Sequence, residues 1–305
     1  MSEQKSVWLL GGPDAGKSNY LTRTWLAIRE RAGLIELAAL PDEFEYLNTA
    51  SSQLSGGRFV SHTSRGVHVQ NSIPVRTQSV EPQITGDLVV PDYSGEDWIA
   101  IHAERRWSEE WESRLGSLAG CLVFLRASSR EIVATLDWFG CHKAFGIPLN
   151  LGQEAPADGE YQSPTQVVVI DWLQMLRQSL RSTGSTIQRL RVGIVISAWD
   201  LVPVDQKSGN PSDYVKSDFP LLSQFIESNS KDFEFAFFGV SIAGADFDRA
   251  PGFREEFLNG TVTDFGYVLY QSDDNSFQSR DHTLPIAWAL GVDVVAADLR
   301  KVERG

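Results

Sequence analysis

The chain has 305 residues, 42% of them apolar and 10% aromatic, enough for a sizeable buried core and too much for a disordered chain. With 27 basic and 40 acidic residues the net charge is −13, which argues against a broad footprint on the phosphate backbone of nucleic acid. Cys121 and Cys141 alone make no disulfide framework, and no apolar run approaches the roughly 18 residues of a membrane span, so a cytoplasmic protein without a membrane partner is expected.

The first element in chain order is an apolar run, Val7-Trp8-Leu9-Leu10, followed by a glycine-rich turn and then by Leu21, Trp25 and Ile28 at helical spacing, with Gly33 as a stop. Residues 34–86 hold extended pieces, GVHVQ and IPVRTQ, among Gly, Ser and Thr. Further strands are predicted at 88–90, 121–125, 192–196 and 233–240. Their apolar residues are mostly consecutive rather than alternating, as in parallel strands buried on both faces. Trp107, Trp111 and Leu115, and later Leu173, Leu176 and Leu180, continue the helical spacing, and the tryptophans on these stripes are expected in the core. Strands alternating with helices predict an α/β fold: a mostly parallel central sheet with helices on both faces. One domain over 1–305 is expected, with insertions near 142–166 and 245–283.

The turn Gly11-Gly12-Pro13-Asp14-Ala15-Gly16-Lys17-Ser18 matches G-x-x-x-x-G-K-[ST]. In that pattern backbone N–H groups wrap phosphates, the lysine reaches the outer ones, and the hydroxyl binds Mg²⁺. An apolar strand before it and an amphipathic helix after it supply the setting the pattern requires, the helix adding its positive end. Asp92 follows the strand at 88–90 and Gly95 comes three residues later. Such an aspartate can hold Mg²⁺ through water, and Gly95 can turn its N–H toward a γ-phosphate.

Ser197-Ala198-Trp199-Asp200 follows the strand at 192–196. A carboxylate accepts two hydrogen bonds from the N1–H and amine of guanine, whereas adenine presents an acceptor at N1, so Asp200 favours GTP. The competing reading of Ser197 or Asp200 is a helix N-cap. After the next strand comes Ser241-Ile242-Ala243-Gly244, where small residues can bring a backbone N–H to the guanine oxygen, a signal whose value lies in its place in the order of motifs.

This order of motifs resembles a P-loop GTPase of the translation-factor-like (TRAFAC) class, and within it the double-GTPase proteins of bacterial conflict systems. The match runs from GGPDAGKS through DYSG and SAWD to VSIAG, residues 11–244, with LPIAWALG as a final helix. The resemblance implies Mg²⁺ on Ser18, Asp92 and a switch threonine, taken as Thr63 with Thr77 as the alternative. It also implies a counter-charge from Lys17 and a guanine contact from Asp200. Departures are the lysine-free SAWD and Glu96 after Gly95, where many small GTPases have a water-orienting Gln; slow hydrolysis is the expectation. Asp14 stands where cation-activated members ligate K⁺, with a surface aspartate as the plainer reading. Arg65 and Arg105 flank the switches, as arginine fingers or as ordinary surface residues. The expected activity is GTP hydrolysis as a molecular switch, with a protein partner or second copy. The alternatives are a nucleotide-binding scaffold with negligible hydrolysis and a P-loop ATPase.

Overall fold

The computed structural model describes the chain except for residues 1–4, 42–43, 61–70, 79, 81, 91–100, 130, 135–162, 185–186, 204–209, 273–274 and 298–305. Among the described residues nine strands form one sheet: β1 (Lys5–Leu10), β2 (Ile35–Leu37), β3 (Asn71–Thr77), β4 (Thr85–Val90), β5 (Leu118–Arg126), β6 (Leu190–Ser197), β7 (Phe233–Ser241), β8 (Tyr267–Gln271) and β9 (Ser276–Ser279). Their order is β2-β3-β4-β1-β5-β6-β7-β8-β9. The five central strands β4, β1, β5, β6 and β7 run parallel, and β2, β3, β8 and β9 extend the edges antiparallel.

The helices are α1 (Lys17–Arg29), α2 (Glu45–Ser55), α3 (Glu109–Arg114), α4 (Thr165–Ser182), α5 (Pro211–Asp218), α6 (Pro220–Ser228), α7 (Pro251–Asn259) and α8 (Leu284–Leu290), with a short helical turn at 101–104. They lie in two layers, because every central strand is apolar on both sides. On β1, Val7 and Leu9 face the core under α1 and α8, while Trp8 and Leu10 face the core under α3 and α4. Alternate residues enter opposite layers, so both must be apolar and the strand reads as an unbroken run. Trp8, fully buried, meets Trp111 edge-on at 4.1 Å between centroids and Trp107 at 6.0 Å. Removing some 200 Å² of indole from water at ~25 cal/mol/Å² is worth about 5 kcal/mol.

The segment expected as an insertion, 245–283, contains α7, β8 and β9. Its Gly, Ser and Asp residues conceal two short strands that complete an edge. Beneath it Phe247, Phe253, Phe257 and Phe265 pack together with Leu54 and Ala243. Most of the segment near 142–166 lies outside the described residues. Among the described residues no helix is long and apolar enough to cross a membrane.

Candidate functional site

The parallel strands bring their C-terminal ends to one edge, where ligands of open α/β sheets bind. The turn 11–18 leaves β1 there, between β4 and β5. Ser197 ends β6 opposite both Arg126 of β5 and Val240 of β7. Four segments distant in sequence therefore meet.

The turn is built by its glycines. Gly16 has φ +91°, and a Cβ there would lie 2.5 Å from Ser197 Oγ; Gly12 faces open space. Lys17 begins α1, and its Nζ donates to the Gly11 carbonyl at 2.5 Å and the Gly12 carbonyl at 2.9 Å, so the ammonium lies across the turn. The first N–H groups of α1 have no partner within the helix and supply donors beside it. Open backbone, an ammonium, a helix N-terminus and the Ser18 hydroxyl form a donor set suited to an anion with an associated hard cation. Among the described residues no cluster of three or more His, Cys, Asp or Glu could hold a metal ion by itself.

Pro13 is exposed at the tip and Ala15 is buried beneath it. Asp14, at φ 53°, accepts from Arg126 Nη1 through one oxygen and from Ser129 Oγ at 3.0 Å through the other. Both oxygens thus have protein partners, which tie the turn to β5 and to the segment after it.

Ser197 is buried, and its Oγ donates to the Ala15 carbonyl at 2.7 Å. It couples the end of β6 to the turn instead of facing outward. Ala198 stands in the left-handed region at φ 52° and Trp199–Leu201 form one 3-10 turn that carries Asp200. Trp199 is 2% exposed, edge-on to Tyr214 and against Gly239, so it is core and does not cover a ligand. Asp200 lies close enough to Tyr267 of β8 that its charge, second to burial, raises the phenol pKa.

Ser241 is fully buried; its Oγ accepts from Gly244 N–H at 2.9 Å and closes the turn after β7. Arg23 of α1 holds the same turn, donating through Nε to the Ile242 carbonyl and through Nη2 to the Phe265 carbonyl, each at 3.1 Å. Burial pulls this guanidinium down to about 10, with Glu30 and Asp281 opposing, so it stays charged at neutral pH. His282 completes the support: its Nε2 is 3.1 Å from the Ser241 carbonyl, and its own carbonyl accepts from Tyr20 OH at 3.0 Å. Arg23, Tyr20 and His282 escaped the sequence reading.

Thr63, Arg65, Asp92, Gly95 and Glu96 lie outside the described residues. Thr77, the alternative to Thr63, is overturned as a metal ligand. It is fully buried at the end of β3 remote from the turn, where its Oγ1 accepts from Ile84 N–H at 2.9 Å. Six strand residues, about 20 Å, separate it from the ligand edge. Arg105 is engaged too: its Nη2 meets Asp171 Oδ1 at 2.7 Å. Asp171 Oδ2 is 3.0 Å from His102 Nδ1, and His102 Nε2 is 3.0 Å from Ser163 Oγ. Ser163–His102–Asp171 has the order of an acyl-transfer triad, but Asp171 is shared with Arg105, and Pro164 after the serine has no N–H to offer an oxyanion. The cluster anchors the turn 101–104 to α4.

A mostly parallel sheet with helices on both faces and a Gly-rich turn from β1 into α1 define a P-loop nucleotide-binding protein. The chain belongs to the Double-GTPase 1 family, which matches residues 8–289. Fold and family together support binding of a guanine nucleotide. Similar solved structures include the signal recognition particle receptor SRb-GTP/SRX complex from Chaetomium thermophilum, at 18% identity and TM-score 0.38 over 84% of this chain and 99% of that one. Another is Roco2 RocCORdC of Methanosarcina barkeri bound to GDP, at 12% identity and TM-score 0.33 over 84% of this chain and 49% of that one. A third is the Ski7 GTPase-like domain of S. cerevisiae bound to GDP and inorganic phosphate, at 13% and 0.37 over 77% of this chain and 42% of that one. No curated protein matches the chain.

Proposed function

We propose that this protein binds GTP with Mg²⁺ on the turn 11–18 and hydrolyses it slowly as a molecular switch. The observation that carries the reading is the meeting of that turn with the end of β6 through Ser197 and Ala15, which sets the SAWD segment beside the phosphate-binding backbone. Gly11 to Gly16 would cradle the phosphates with their N–H groups, and Lys17 would neutralise the outer ones. Ser18 and Thr63 would hold Mg²⁺ directly and Asp92 through water. The cation would supply charge neutralisation between the phosphates. Asp200 would select guanine, and Ser241 with its turn would shape the pocket around the base oxygen. Gly95 would meet the γ-phosphate and Glu96 would orient water, its negative charge keeping the rate low. Membership of the translation-factor-like class, a setting in bacterial conflict systems and a protein partner or second copy are carried by the motif resemblance.

A static binder is the competing reading, favoured by the burial of Trp199, which leaves Ala198 as the short side chain where a lysine stem would line the base. Calorimetry with GTP, GDP and ATP in Mg²⁺, with phosphate release on the same samples, separates the two. The switch reading expects GTP to bind best, Lys17→Ala to abolish binding, Asp200→Ala to erase the guanine preference, and phosphate to appear slowly. Binding without release supports the static reading, and equal ATP binding defeats the guanine assignment.

A further inference from the structure

Sequence order suggests Arg65 or Arg105 as an arginine for the phosphates, yet Arg105 is held by Asp171 and Arg65 lies outside the described residues. The fold brings a third arginine to the glycine turn. Arg126 is the last residue of β5, and its Nη1 donates to the carboxylate of Asp14, inside the turn itself.

Backbone contacts fix this placement. β5 runs along the start of the turn, where a Cβ on Gly11 would lie 3.0 Å from the Phe124 carbonyl. Arg126 stands opposite Ser197 in the ladder, Ala127 N–H donates to the Ser197 carbonyl at 3.0 Å, and Ser197 Oγ donates to the Ala15 carbonyl. The end of β5 is thus tied to the turn at Gly11, at Asp14 and, through Ser197, at Ala15. On the carboxylate side Ser129 Oγ donates to the second oxygen of Asp14 at 3.0 Å, so the acceptor that carries the guanidinium is itself held.

Charge gives the pair its meaning. Asp14 and Lys17 are the two charged residues of Gly11–Ser18, and they cancel. Asp14 is two residues from Gly12 and two from Gly16, at most about 7.6 Å in Cα spacing, so its carboxylate alone opposes an anion on that backbone. Arg126 cancels the carboxylate and leaves the set cationic. Its side chain is 37% exposed, and among the described residues only Nη1 is engaged, although a guanidinium carries donors on Nη2 and Nε as well. An ion pair this open adds little to stability.

We infer that Arg126 is a further phosphate-binding residue: carried by Asp14, it donates from β5 to the oxygens of a polyphosphate on the turn 11–18, resting on the reading above that this turn binds a nucleotide. A planar fork pairs with two phosphate oxygens as it does with a carboxylate, and Asp14 positions that fork beside the turn.

The test is a double-mutant cycle on Arg126→Gln and Asp14→Gly, the glycine accepting the positive φ of residue 14 without strain. Calorimetry follows GDP and a non-hydrolysable GTP analogue in Mg²⁺, and urea unfolding establishes that each variant is folded. With Asp14 already removed, Arg126→Gln is expected to weaken both nucleotides about tenfold further, because the lost donors served the phosphates. Arg126→Lys on the same background keeps the charge without the fork and is expected to cost about threefold. An arginine that only neutralises Asp14 or braces the turn through it has no work left once Asp14 is gone. Affinities equal to those of Asp14→Gly in both arginine variants therefore overturn the inference alone. Failure of the folded wild type to bind either nucleotide overturns the reading of the site and the inference with it.

Discussion

Ser197 Oγ donates a hydrogen bond of 2.7 Å to the Ala15 carbonyl, and the same side chain fills the space that a Cβ on Gly16 would need. The end of β6 and the glycine turn are thereby one unit, and the serine of SAWD acts on the turn. Ser197→Ala leaves the Ala15 carbonyl without its partner, which costs about 1–3 kcal/mol. Nucleotide affinity is expected to fall about tenfold in calorimetry with the ratio of GTP to ATP unchanged. A change in that ratio with total affinity intact would show the hydroxyl reading the base.

Trp199 sits beside the expected guanine contact, yet its ring is packed against Gly239 and Tyr214. Trp199→Ala is expected to destabilise the fold by about 3–5 kcal/mol in urea unfolding, as truncation of a buried indole does. At a temperature where the variant remains folded, its preference for guanine over adenine should match the wild type. Full stability combined with a lost preference contradicts this.

Asp171 accepts from Arg105 and contacts His102, tying the helical turn 101–104 to α4. The Arg105 head is 64% exposed and that ion pair contributes little alone. The His102 contact is more enclosed, and Asp171→Ala is expected to cost about 1–2 kcal/mol. Hydrogen exchange should accelerate at residues 101–105 and stay unchanged in β6. Uniform acceleration through the sheet would instead mean that Asp171 supports the whole core.

His282 is fully buried; burial first, and the Arg23 charge second, pull its pKa from 6.5 to about 3, while the Ser241 and Arg280 carbonyls oppose the shift. The folded-state value lies below the unfolded one, so between about pH 6.5 and 3 the unfolded chain takes up a proton that the folded chain refuses. Stability from this residue is complete above that window and is lost as pH falls through it. The urea midpoint of His282→Gln should therefore fall less steeply than that of the wild type as the medium is acidified. Parallel curves would mean that His282 does not contribute to the acid response.

The central sheet was legible because strands buried on both faces leave apolar runs: residues predicted at 7–10, 121–125, 192–196 and 233–240 all lie in β1, β5, β6 and β7. The P-loop turn was legible because phosphate-binding backbone demands glycine at set positions and a helix immediately after. The final helix, read from LPIAWALG, is α8 at Leu284–Leu290. These features are local, each decided by a few adjacent residues and the two periodicities of the backbone.

What local pattern could not show is where polar side chains find partners. β8 and β9 are short and only half-buried, so their apolar signal is faint against Gly, Ser and Asp neighbours. The carboxylate of Asp14 meets Arg126 of β5, Asn19 meets Val60, and Asp281 accepts from Leu34 N–H at 2.8 Å. Each contact joins residues far apart in the chain, and its geometry exists only once the sheet has placed both strand ends and the helix between them. The sequence alone therefore determined the layers and the glycine turn from β1 into α1, through short-range sterics and hydrophobic period. Only the tertiary structure decided which polar side chains around the turn are spent holding the loops, because burial satisfies polar groups with whatever long-range partner the fold delivers.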